Sequence, residues 1–146
     1  MIVPATADDL PALCELLGLL FTQEADFQPD REKQIAGLRL ILDHPESGRL
    51  FVARCEGTVE GMVSLLEGVN LREGGRAFWL EDLVVKPASR GRGLGGALLR
   101  HAIATARALG AVSLTLLTDA TNARAIRLYQ AHGFIATGPA PVRLRL

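Results

Sequence analysis

The chain has 146 residues, 49% of them apolar and 22% charged, and its 16 basic side chains balance 16 acidic ones. That length suits one domain, residues 1–146, with a core of its own, and the composition excludes a disordered chain. Zero net charge offers no bulk attraction to DNA or RNA, and no apolar run approaches the ~20 residues of a membrane span.

The opening Met1-Ile2-Val3-Pro4 has no basic region followed by an apolar run, so no signal peptide is expected. Cys14 and Cys55 lie far apart and match no zinc spacing, and His44, His101 and His132 are scattered. No metal site is expected, and both cysteines read as buried thiols of a cytoplasmic protein.

In chain order, residues 1–4 form a short first strand, and Thr6 or Asp8 caps a helix. Leu10, Leu13, Leu16, Leu17 and Leu20 carry that helix to about Phe21. An acidic loop with Glu24 and Asp26 follows. A second helix starts at Asp30 with Ile35, Leu38, Ile41 and Leu42 inward. Three strands are then expected over 50–53, 59–69 and 77–85, separated by turns at 56–58 and 73–75. A helix over 94–109 buries Leu98, Leu99, Ala102, Ile103 and Ala106, and Gly110 ends it. A buried strand over 112–117, a short helix over 123–132 closed by Gly133, and strands over 134–137 and 142–146 complete the chain. The order is β-α-α-β-β-β-α-β-α-β-β. A right-handed parallel crossover between strands 77–85 and 112–117 makes this a mixed α/β sheet with helices on both faces.

The most concentrated local signal is Arg90-Gly91-Arg92-Gly93-Leu94-Gly95-Gly96, between a strand and a helix. Four glycines there would weaken a regular element. They make sense where backbone N–H groups converge on an anion at a helix N-terminus, with Arg90 and Arg92 beside it and Arg100 nearby. A Walker-type loop needs Gly-Lys-Ser/Thr, and this turn ends Gly95-Gly96-Ala97. Gly91, Gly93 and Gly96 fit a dinucleotide fingerprint, with Asp119 near the acidic position. Against that, Pro87 to Arg90 separate the glycines from the strand, and an antiparallel meander precedes the unit. A turn that binds nothing is the plain structural alternative.

Arg90-x-x-Gly93-x-Gly95 also resembles the Q/R-x-x-G-x-G/A signature of the Gcn5-related N-acetyltransferase (GNAT) superfamily, and Leu83-Val84-Val85-Lys86-Pro87 resembles the strand and exit turn before it. Downstream, Asn122-Ala123-Arg124-Ala125-Ile126-Arg127-Leu128-Tyr129-Gln130-Ala131-His132-Gly133-Phe134 resembles the family segment N-x-x-A-x-x-L-Y-x-x-x-G-F. The likeness is detailed over residues 79–135 and is one of element order elsewhere.

The resemblance implies a GNAT-like fold in which strands 77–85 and 112–117 splay around acetyl-CoA. Backbone at Leu83 and Val85 would hold the pantetheine arm, and Arg90, Gly91, Arg92, Gly93, Leu94, Gly95 and Gly96 the pyrophosphate. A backbone amide near Val84 or Val85 would face the carbonyl oxygen. Tyr129, the one tyrosine, would serve the leaving thiolate; in its plain alternative it is a core residue. Asn122 would contact pantetheine, cap its helix, or do both. Glu81 resembles the glutamate of the polyamine- and thialysine-type branches, which removes the ammonium proton; a solvated acidic residue is the alternative. In a regular strand Trp79, Glu81, Leu83 and Val85 share a face, whereas a bulge would exchange Glu81 and Asp82. Glu24, Asp26 and Glu73 are candidates to surround a cationic acceptor, or plain loop charges.

The implied function is transfer of an acetyl group to a primary amine on a small molecule, peptide or protein. The alternative is a non-catalytic acyl-CoA-binding or regulatory domain of the same fold. Neither nucleic acid nor membrane is an expected partner. The edge of the final strand, with Arg143 and Arg145 alternating, offers pairing in a homodimer.

Overall fold

The computed structural model describes residues 1–22 and 29–146; Glu24 and Asp26 lie outside the described residues. β1 (Ile2–Pro4) leads through a 3-10 turn (Ala7–Asp9) into α1 (Leu10–Phe21). That turn is held by the Asp9 carboxylate. Its Oδ2 accepts from the Thr6 backbone N–H at 2.9 Å, and its Oδ1 accepts from Arg54 Nη2 at 2.8 Å. Thr6 thus begins the turn, and Asp8 caps nothing. α2 (Arg31–Leu42) is capped by Asp30, whose side chain accepts from the Lys33 N–H.

β2 (Gly48–Cys55), β3 (Thr58–Asn70) and β4 (Gly75–Val85) form the antiparallel meander. Glu56 and Gly57 are the two central residues of the first hairpin, both at positive φ, as a primed turn with matching strand twist demands. After a second 3-10 turn (Pro87–Ser89), α3 (Leu94–Ala108) crosses to β5 (Ser113–Leu116), parallel to β4, and α4 (Ala123–Ala131) follows. The sheet order is β1-β2-β3-β4-β5.

Helices cover both faces. Leu13, Leu16 and Leu17 of α1 and Leu38 of α2 pack on Leu50, Val52, Met62 and Val84. Leu98, Leu99 and Ala102 of α3 pack on Phe51, Ala53, Val63 and Leu80 of the other face, and α4 joins them through Leu128 and Tyr129. Gly110 and Gly133, both at positive φ, end α3 and α4 with the same pair of reverse bonds. Ala111 N–H donates to Ala106 O and Gly110 N–H to Arg107 O; Phe134 N–H donates to Tyr129 O and Gly133 N–H to Gln130 O.

Two expected strands are not formed. Residues 134–137 and 142–146 are irregular, so the sheet has five strands and β5 is its edge. Gly138-Pro139-Ala140-Pro141 supplies two residues without an N–H, and Val142 and Leu144 remain 98% and 82% exposed. Alternation marks a strand only where a sheet face covers its apolar side, and none covers this segment. The dimer edge expected on a final strand therefore does not exist in that form. Cys14 is buried and Cys55 half-buried, both as free thiols.

Candidate active site

β4 pairs with β5 from Ala77↔Ser113 to Leu80↔Leu116 and no further. β4 runs on to Val85 while the chain after Leu116 turns away. On this side, β4 past Leu80 pairs with no strand among the described residues, so alternate N–H and C=O groups face the opening.

A bulge stands where the strands part. Met62 pairs with Val84 and Ser64 with Glu81, so Val63 faces both Asp82 and Leu83. Asp82 takes φ +52°, and its Oδ2 accepts from Ser64 Oγ at 3.0 Å, a hydroxyl with no solvent exposure. The extra residue changes which side chains share a face. Val84 packs on the α1 side, whereas Leu83 and Val85 pack with the α3 cluster. Trp79 and Glu81 therefore do not share a face with Leu83 and Val85, as a regular strand would require.

The opening is a cleft of about 1000 Å³. Its walls include Glu81, Asp82, Leu83, Val84 and Val85 of β4, Arg90, Gly91, Gly93, Leu94, Gly95 and Gly96 of the turn, and Asn122 and Tyr129 of the last helix. Glu81 and Tyr129, 48 positions apart in the sequence, thus meet around one space. Arg92 does not line the cleft, and neither does Glu73, whose N–H donates to Asn70 Oδ1 in the β3–β4 turn. Leu20 and Phe21 at the end of α1, Ser89, and 117–119 after β5 also line it. Apart from Asp119, weighed above only for a dinucleotide fingerprint, no sequence motif marks those positions; they follow from packing.

The turn is shaped for close approach. Gly91 and Gly93 have φ of +76° and +79°, and an added Cβ at either would meet no atom within 4 Å. Backbone conformation demands glycine there, not crowding. Gly93 caps α3, and the first N–H with an intrahelical acceptor is that of Ala97. The N–H groups of Leu94, Gly95 and Gly96 lie in the turn before it, at the positive end of the helix. Behind the turn, Ser89 Oγ donates to Glu60 Oε2 at 2.7 Å, Lys86 N–H donates to Glu60 O, and Arg90 Nε donates to Val85 O at 3.1 Å. These bonds tie the exit of β4 to the turn.

Glu81 stays exposed to solvent at the cleft, yet the partial desolvation of its carboxyl raises it above its ordinary pKa, the neighbouring Asp82 carboxylate raises it further, and Arg143 opposes both. Burial likewise raises the Tyr129 hydroxyl, keeping it neutral; its ring meets Phe134 edge-on with centroids 5.9 Å apart. Asn122 Oδ1 accepts from the Ala125 N–H at 3.1 Å, so it does cap α4. Its carboxamide N–H groups have no partner among the described residues. Asp119 Oδ1 accepts from both the N–H and the hydroxyl of Thr121 at 2.8 Å, and so is occupied within its own turn. No cluster of metal-ligating side chains occurs among the described residues.

The sequence model described as the acetyltransferase (GNAT) family matches residues 10–134. The chain is similar to aminoalkylphosphonate N-acetyltransferase of Salmonella typhimurium, 33% identical over 130 residues, which are 89% of this chain and 81% of that one. It is similar in structure to an Agrobacterium tumefaciens protein described as an acetyltransferase, with TM-score 0.83 and 28% identity over 100% of this chain and 99% of that one. A Clostridium acetobutylicum protein solved with acetyl-CoA has TM-score 0.81 and covers 99% of this chain and 95% of that one. At 14% identity it shows the fold alone.

Proposed function

Because the chain belongs to the acetyltransferase (GNAT) family and is an acyl-CoA-dependent N-acetyltransferase, we propose that the cleft between β4 and β5 is where it transfers the acetyl group. The observation that carries this reading is that Glu81 and Tyr129 wall the same cleft as the glycine turn. In this reading the N–H groups of Leu94, Gly95 and Gly96 hold the pyrophosphate of acetyl-CoA, with Arg90 fixing the turn and Arg92 adding positive charge from outside. Open backbone at Leu83 and Val85, with the Asn122 carboxamide, holds the pantetheine arm.

An aliphatic amine is protonated at neutral pH, with a pKa of about 10.4, and an ammonium cannot attack a thioester. Glu81 accepts that proton, and its raised pKa makes it a better base than a free carboxylate. The nitrogen then bonds to the carbonyl carbon. The oxygen gains negative charge, which a backbone N–H at Val84 or Val85 stabilises. On collapse the C–S bond breaks and the electron pair leaves on sulfur. Tyr129, held neutral, donates its proton to that thiolate, and the second proton shed by the nitrogen as the amide forms returns through solvent to the Tyr129 oxygen. Neither cysteine takes part, since attack is direct.

The acceptor is a primary amine on a small molecule or peptide. Two free thiols fit a cytoplasmic setting, and no helix among the described residues is long and apolar enough to cross a membrane. A homodimer is proposed to form through the edge of the sheet at β5. The reading is tested by following free-thiol release from acetyl-CoA across a panel of primary amines. Amine-dependent release that Tyr129→Phe and Glu81→Gln each lower supports it. Release that both variants leave unchanged contradicts it.

A further inference from the structure

Two residues before Glu81, outside the residues that line the cleft, β4 carries a side chain that the mechanism above does not use. On β4, Phe78 and Leu80 are buried on the α3 side, so Trp79 and Glu81 point to the opposite face. Trp79 is the one tryptophan of the chain, yet it stays 42% exposed. Its neighbours in the sheet are Leu66 on β3 and Thr115 on β5, and no ring or cation stacks on it among the described residues. Two residues along a strand span about 7 Å. The indole and the Glu81 carboxyl therefore leave the strand on one face, about that far apart at the backbone.

We propose that Trp79 is a specificity-determining residue, forming an apolar wall for the carbon frame of the acceptor while Glu81 and Asp82 receive its ammonium. The preferred acceptors are then primary amines on an aromatic or extended alkyl frame. This rests on the reading of Glu81 as the proton acceptor. The charges support it, because two adjacent carboxylates on this floor favour the cationic end of an acceptor and disfavour an anionic one. Arg143, which faces Glu81, is the opposing charge there. A flat frame laid on the indole removes apolar area from water on both partners.

Trp79 reports on itself, since its emission is the only tryptophan signal in the protein. Titrating phenethylamine into the CoA-bound protein should shift that emission saturably, and taurine should not. Trp79→Ala should raise KM for phenethylamine about tenfold with little change in kcat or in KM for acetyl-CoA, and Trp79→Phe should restore most of the loss. Emission indifferent to phenethylamine, an unchanged KM in Trp79→Ala, or a preference for taurine would overturn the role of Trp79. Calorimetry separates this from the parent reading. A protein that binds acetyl-CoA but fails these tests loses only the acceptor wall, whereas one that fails to bind acetyl-CoA loses both.

Discussion

Replacing Glu81 by glutamine removes a carboxylate at the point where β4 and β5 part, and it keeps the side chain's size. Removing a positioned general base costs about 10²–10⁴-fold in rate, so kcat/KM should fall within that range while acetyl-CoA affinity holds. The pH profile carries the sharper statement. Partial desolvation and Asp82 raise the Glu81 pKa, so the acidic limb of the wild-type profile should lie above the ~4.3 of a free glutamate. Asp82→Asn keeps a residue that tolerates φ +52° and removes a neighbouring negative charge. The limb should then move to lower pH by about half a unit to one unit. Arg143→Gln removes the charge that favours the ionised form, so the limb should move to higher pH. Rates are read by thiol release between pH 5 and 9 (about four units, spanning the limb). A limb that persists in Glu81→Gln, or that moves the same way in both neighbour variants, would refute the assignment.

Tyr129→Phe should lower kcat by about 10²-fold with little change in KM for acetyl-CoA, since the ring remains against Phe134 and only the proton donor is lost; steady-state kinetics checks it. Asp9→Asn should destabilise the fold by about 1–3 kcal/mol in urea unfolding, because it breaks a buried bond to Arg54. For Asp9, burial pushes the pKa up, but bonds from Arg54 and Thr6 outweigh it and the net shift is downward. Its contribution is thus fully present above the unfolded value of about 3.9 and is lost as pH falls through the lower folded value. Wild type should therefore lose part of its advantage over Asp9→Asn in acid.

Helices, hairpins and the glycine turn were legible because each rests on local chemistry. The helix start at Asp30, Gly110 and Gly133 as helix stops, and Glu56-Gly57 as a turn all act within a few residues of themselves. A bulge exchanging Glu81 and Asp82 stood as an alternative to a regular strand, but the sequence could not decide for it, since it depends on Ser64, 18 positions away, donating to the Asp82 carboxylate. That single insertion decides which side chains of β4 face α1 and which face α3. The Ser89–Glu60 bond, 29 positions apart, is hidden for the same reason. Val142, Leu144 and Leu146 misled in the other direction. Their alternation with Arg143 and Arg145 has the period of a strand, but Pro139 and Pro141 precede it and no sheet face lies over it. The glycine turn and Asn122 both stand at helix starts whose geometry is set locally, and both lie along the cleft with Tyr129.

The central claim is that the turn from Arg90 to Gly96 holds acetyl-CoA by its backbone. Calorimetric titration of acetyl-CoA into wild type and Gly93→Glu tests it most directly. Gly93 has open space around it, so the new carboxylate costs the fold only the ~1–2 kcal/mol of a left-handed residue, which a melting curve verifies. Micromolar binding to wild type that vanishes in the folded variant is the predicted result. Equal binding by both proteins, or none by wild type, would contradict the account.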